Sequence, residues 1–127
     1  MQNRTEAILE QFANSWIETE NFFDRLIENY PGFDRLKPIR KFIEELRQND
    51  GHLYFRIGSS MHDLLISRSV KHGMRTDQKY IKIETYDEKF AITLRDGEKT
   101  YREYMVENLN DYRVTNLIKT LKNTLVD

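Results

Sequence analysis

The chain has no cysteine, two prolines, five glycines and one tryptophan among 127 residues. Without a thiol there is no disulfide, no thiolate nucleophile and no Cys-containing zinc site, a usage that fits a reducing compartment. Proline and glycine are too scarce to build an interdomain linker, and neither an internal repeat nor a low-complexity tract is present, so a single domain over residues 1–127 is expected. No stretch approaches the ~18 uncharged apolar residues of a spanning helix. The opening MQNRTEAILE mixes acidic and apolar residues, unlike a secretory leader. An excess of one charge is missing too. Twenty Lys+Arg against 21 Asp+Glu leave a formal net charge of -1, whereas an extended nucleic-acid footprint needs a positive excess. The expectation is a cytoplasmic, globular domain with no membrane or nucleic-acid partner.

What is present is periodicity. From Thr5 to Tyr30, Leu9, Phe12, Ala13, Trp16, Phe23, Leu26, Ile27 and Tyr30 recur at three- and four-residue steps, the stripe of an amphipathic helix. Its length leaves room for a break near Glu20 and Asn21, and Tyr30-Pro31-Gly32 stops it. A second helix opens at Pro38, buries Ile39, Phe42, Ile43 and Leu46, and ends at Asn49-Asp50-Gly51. Beyond Gly51 the period becomes two. Strands with one buried face are predicted around Leu53 to Ile57, Ile81 to Tyr86 and Phe90 to Arg95, with a weaker one from Leu64 to Val70. Asp87-Glu88 makes a tight connection, and Asp96-Gly97 leads through a hairpin into Lys99 to Tyr104. Val114, Leu117, Ile118, Leu121 and Leu125 mark a last helix capped by Asn110 or Asp111. The reading is α+β: two N-terminal helices, a four- or five-stranded antiparallel meander and a C-terminal helix, with the helices on one face of the sheet.

No motif for catalysis emerges. His52, His62 and His72 fall in a strand start, a turn and a loop, so no element sets them at metal-ligand spacing; they read as solvated turn histidines. Gly58-Ser59-Ser60 lacks the Walker lysine and the strand-to-helix elbow of a nucleophilic serine, and reads as a polar turn. Carboxylates adjacent in sequence, such as Glu44 with Glu45, point in different directions and form no acid/base dyad. Trp16 lies on the helical stripe and is assigned to the core. Neither catalytic residues nor a cofactor or metal are assigned, and the chain is read as a non-enzymatic binding protein.

Charge is patterned. Residues 1–50, 51–83, 84–111 and 112–127 carry local balances of -3, +4, -4 and +2. Arg68, Lys71, Arg75, Lys79 and Lys82 are read as a solvated loop, the alternative being a contact for phosphate or an acidic protein. Glu84, Asp87, Glu88, Asp96, Glu98, Glu103, Glu107 and Asp111 form an acidic stretch suited to a basic partner. Tyr54, Tyr80, Tyr86, Tyr101 and Tyr104 fall in predicted strands. On an open face, Tyr54, Tyr80 and Tyr86 would stand among Arg56, Lys82, Glu84, Thr93, Arg95 and Arg102. Interface anchors and cross-strand packing remain equally open readings of these rings.

The Tyr-rich meander from Gly51 to Tyr104, carrying HLYFRI, QKYIKIETY and KFAITLRDGEKTYREY, together with the helix-helix-meander-helix order, resembles the small immunity proteins of bacterial polymorphic toxin and contact-dependent growth inhibition systems, the TriTu type among them. The resemblance implies a cytoplasmic inhibitor that binds a toxin domain, often a nuclease, as a monomer in a 1:1 heterodimer and blocks or distorts its active site. From this chain's own pattern the partner-binding candidates are Glu84, Tyr86, Asp87, Glu88, Arg102 and Tyr104. A secretion chaperone or adaptor for an effector segment is the alternative; a small nucleic-acid-binding domain or an enzyme with a dispersed site is the other.

Overall fold

The amphipathic stripe of the first thirty residues forms one unbroken helix in the computed structural model, which describes residues 3–69 and 78–123. This helix, α1 (Arg4–Asn29), starts where the Asn3 side chain accepts the Glu6 N–H at 2.8 Å. It ends where Tyr30 turns extended ahead of Pro31. The break allowed for near Glu20 does not occur, because that region is where α1 is clamped to its neighbour. Arg40 donates from Nε to Asp24 at 2.8 Å and from Nη2 to Glu20 at 3.2 Å, and Arg47 pairs with Glu20 at 2.8 Å. Both arginines lie on α2 (Lys37–Gln48), reached through a 3-10 segment, Pro31–Leu36. Burial alone would lower the Arg40 pKa, but the hydrogen bond and charge of Asp24, with Glu20 and Glu44 behind them, raise it.

The sheet is a pure antiparallel meander in sequence order: β1 (Arg56–Ser60), β2 (Asp63–Ser67), β3 (Lys79–Tyr86), β4 (Lys89–Asp96) and β5 (Lys99–Val106). A C-terminal helix, α3 (Tyr112–Lys122), closes the order. Of the two caps considered for it, Asp111 serves, its carboxylate accepting the Arg113 N–H at 2.9 Å. The inner face of the sheet presents Ile57, Leu64, Ile66, Ile81, Ile83, Ile92 and Leu94 to Trp16, Phe23, Ile39, Ile43, Val114 and Leu117 from the helices, forming one core. Trp16 is fully buried, and its indole N–H donates to the Phe55 carbonyl at 2.9 Å. The α+β expectation holds, with five strands.

Several local expectations differ. The first strand begins at Arg56. Gly51–Leu53 instead continues the helix end as a 3-10 turn, with Leu53 N–H on Asp50 and the Tyr54 and Phe55 N–H groups on the Gly51 carbonyl, so His52, Leu53 and Tyr54 are not in a strand. Gly58-Ser59-Ser60 is not a turn but the end of β1, paired with Leu65, Leu64 and Asp63. Tyr80 is not presented on an open face and is only 6% exposed. In the central strands Leu65, Ala91 and Thr93 are likewise buried on the outer face, where longer side chains occupy the same cross-strand rows: Arg56 and Arg95 with Tyr80, Lys82 and Glu103 with Leu65 and Thr93, and Glu84 and Met105 with Ala91. Val70, Lys71, His72, Arg75, Asp77 and Leu125 lie outside the described residues.

Candidate functional site

Antiparallel order places alternate connections at one end of the sheet. The β1–β2 loop (Met61, His62), the β3–β4 loop (Asp87, Glu88) and the last residues of β5 therefore meet there. The 3-10 segment after α1 joins them. Phe33 packs against the His62 ring at 5.6 Å with the planes tilted by 53°, Tyr30 lies edge-on to Phe33 at 6.0 Å, and Arg35 covers Phe33 at 4.9 Å while donating to Thr85 Oγ1 at 3.2 Å. The result is a surface with exposed Tyr30, Met61 (82%) and Tyr86 (65%). Glu84, Ala91 and Met105 form one cross-strand row on the outer face beside it, Met105 also being exposed.

The carboxylates of this end outnumber its cations locally. Lys82 is held between Asp63 and Glu84, 3.8 Å from each. Asp87, Glu88 and Glu107 are exposed at the loop and strand ends, with Lys89 beside them. Backbone geometry adds a second feature. Each of the three two-residue hairpin loops has its first residue in the left-handed region, and only one of those residues is the glycine that suits it: Gly97 (φ 62), against Met61 (φ 57) and Asp87 (φ 56). Left-handed methionine at a solvent-exposed tip is a costly conformation with no packing to support it, the kind of strain that collects at working surfaces.

The six residues singled out from the sequence separate into two groups. Glu84, Tyr86, Asp87 and Glu88 come together at this end. Arg102 and Tyr104 do not join them, because their partners across the ladder are Leu94 and Ile92, which face the helices. Tyr104 is half-buried against the core with Arg113 at 5.6 Å from its ring, and Arg102 is exposed on the inner face of the edge strand. The linear acidic stretch is divided as well. Asp96 and Glu98 sit at the opposite end, near Lys79 and Arg95. The side-chain and backbone N–H groups of Arg113 hold Asp111 below the ordinary carboxylate range.

The basic cluster is dispersed in the same way: Lys82 is paired, Lys79 lies 5.3 Å over Tyr101, and Lys71 and Arg75 are outside the described residues. Tyr30, Phe33, Met61 and Asp63 were missed because they come from separate segments with no shared periodicity. Met61 between two alternating runs is the nearest thing to a signal. His52 packs edge-on to Trp16 at 6.4 Å and His62 against Phe33, so each serves a different part of the molecule. Among the described residues no three His, Cys, Asp or Glu side chains gather as a metal would require, and no helix is long and apolar enough to cross a membrane. No family model, no curated protein and no solved structure matches the chain.

Proposed function

We propose that this chain is a protein-binding module that neutralises a basic toxin domain by docking it on the acidic, aromatic end of the sheet. The observation that carries the reading is the gathering of exposed Tyr86, Met61 and Tyr30 with Glu84, Asp87 and Glu88 on one surface built from three separate connections. Large, exposed apolar side chains ringed by charge are the usual anchors of an interface, and a single sign of charge favours a partner of the other. A nuclease domain, whose own surface must attract phosphate, has that sign. Occlusion follows if the toxin's basic substrate channel is what meets these carboxylates. The resemblance of the meander to immunity proteins points the same way.

Co-expression with the protein encoded immediately upstream, purification and native mass measurement test the proposal. The expected product is a 1:1 complex with a chain that arrests growth when expressed alone. Recovery of this chain without a partner, and no rescue of growth by it, would overturn the reading.

A further inference from the structure

On the far side of the core from the strands, α2 and α3 do not close against each other. One open depression of about 400 Å³ lies between α2 and residues 108–110, and a second of about 390 Å³ lies between α2 and α3; they share Phe42, Glu45, Leu109 and Asn110, so they form one continuous groove. Its floor is apolar, with Phe42, Leu46, Phe55, Leu109 and Ile118, and Tyr54 forms part of one wall. Its rim is basic. Lys37 and Lys41 stand along α2, Lys119 and Lys122 along α3, and Glu45 is the only carboxylate among the described lining residues. Lys37 is shared with Asp34 at 3.5 Å and Lys41 with Glu45 at 4.0 Å, both exposed and weak. Lys122 lies 3.9 Å over the Tyr54 ring. Among the described residues, neither Lys119 nor Lys122 has a carboxylate within ion-pair distance.

We infer that this groove is a second docking site, distinct from the acidic sheet end, and that its occupant is an acidic, apolar-anchored segment of a partner protein. Charge complementarity sets the sign: four lysines against Glu45 and the Asp34 that shares Lys37 leave a positive rim in a chain whose total charge is -1, and this selects an anionic occupant. Shape sets the class. The groove follows α2 from Lys37 to Asn49, a run of about 18 Å at 1.5 Å per residue. An open trough of that length suits a helix of about three turns, laying an apolar stripe on the floor and carboxylates to both rims, better than a small molecule, which needs enclosure. None of the lining residues belongs to the sheet end, so this inference does not depend on the proposed toxin contact.

Selection of random 12-residue peptides on the immobilised full chain tests it without assuming the partner. Enriched peptides are expected to combine Asp or Glu with Leu, Ile or Phe at three- and four-residue spacing. In fluorescence anisotropy they should bind the wild-type protein saturably and lose tenfold or more in affinity against Lys119→Glu/Lys122→Glu. Both positions are exposed but lie in the last turn of α3, where cations suit the helix dipole, so that variant should keep the wild-type circular dichroism with a slightly lower melting temperature. Lys119→Gln/Lys122→Gln, which brings no opposing charge, should also weaken peptide binding. Binding should survive charge reversal of Asp87 and Glu88. Absence of enrichment, a basic consensus, or equal affinity for the lysine variant would overturn the inference. So would concentration-dependent self-association abolished by Lys119→Glu/Lys122→Glu, which would assign the groove to a second copy.

Discussion

Met61 holds a left-handed backbone that a glycine would adopt freely, at a position where its side chain touches solvent. Met61→Gly should therefore raise stability by about 1 kcal/mol in urea unfolding, while weakening partner binding at the sheet end. A variant that loses stability would show that the methionine packs, and one that binds normally would remove it from the interface. Gly51 presents the opposite case. Its neighbour Asp50 takes the left-handed conformation (φ 65), and Gly51 is needed for close approach instead: a Cβ there would lie 2.7 Å from both the Leu46 carbonyl oxygen and Leu46 Cγ. Backbone cannot yield as a flexible side chain can, so Gly51→Ala should destabilise by about 1–3 kcal/mol; a thermal melt unchanged from wild type would contradict the crowding. The Asn49-Asp50-Gly51 run was legible as a helix stop. Which of its residues turned left-handed was not, because that depends on where Leu46 lies after folding.

At the scale of elements, ion pairs decide features that apolar spacing leaves open. The Arg40 fork on Asp24, supported by half-buried contact with Glu20, ties α1 to α2 across a solvent-facing seam. A double-mutant cycle of Arg40→Ala with Asp24→Ala should give a coupling of about 1 kcal/mol, since one partner is shielded and the geometry is two-pronged. Coupling below about 0.3 kcal/mol would mean that water screens the pair. The cap of α3 adds a pH dependence whose sign is fixed. Because the folded Asp111 carboxyl is depressed by its bonds from Arg113, its contribution is complete above the unfolded aspartate pKa and fades as pH falls through the lower, folded value. Asp111→Asn keeps a side-chain acceptor at the cap but cannot titrate. The gap in melting temperature between wild type and Asp111→Asn should be constant at neutral pH and shrink below the ordinary aspartate range. A gap that stays constant into strong acid would refute the cap's ionic role.

For the whole molecule, the important consequence of the meander is that linear charge does not equal surface charge. The acidic stretch from Glu84 to Asp111 is split between the two ends of the sheet by the β4–β5 hairpin. If a basic toxin domain docks on the sheet end as proposed, reversing Glu84, Asp87 and Glu88 to lysine should slow its association about tenfold at low salt and flatten the dependence on ionic strength. Reversing Asp96 and Glu98 should leave the rate near that of the wild type. Equal slowing by both sets would mean that total charge steers the encounter and the sheet end has no special role.

The sequence by itself determined the class and order of the elements. Period 3.6 before Gly51 and period 2 after it, with short links that exclude parallel crossovers, leave an α+β meander as the fold, and Trp16 belongs to the core by its place on the stripe. It also marked Glu84, Tyr86, Asp87 and Glu88, which are local to one hairpin. Only tertiary structure decided what joins them. Tyr30, Phe33, Met61 and Asp63 arrive from other segments because antiparallel pairing stacks alternate turns at one end. Arg102 and Tyr104 leave because the register across β4 and β5 turns them towards the helices. Face and register come from long-range pairing, where one residue of shift reverses every side chain, and such pairing cannot be read from spacing along a single strand.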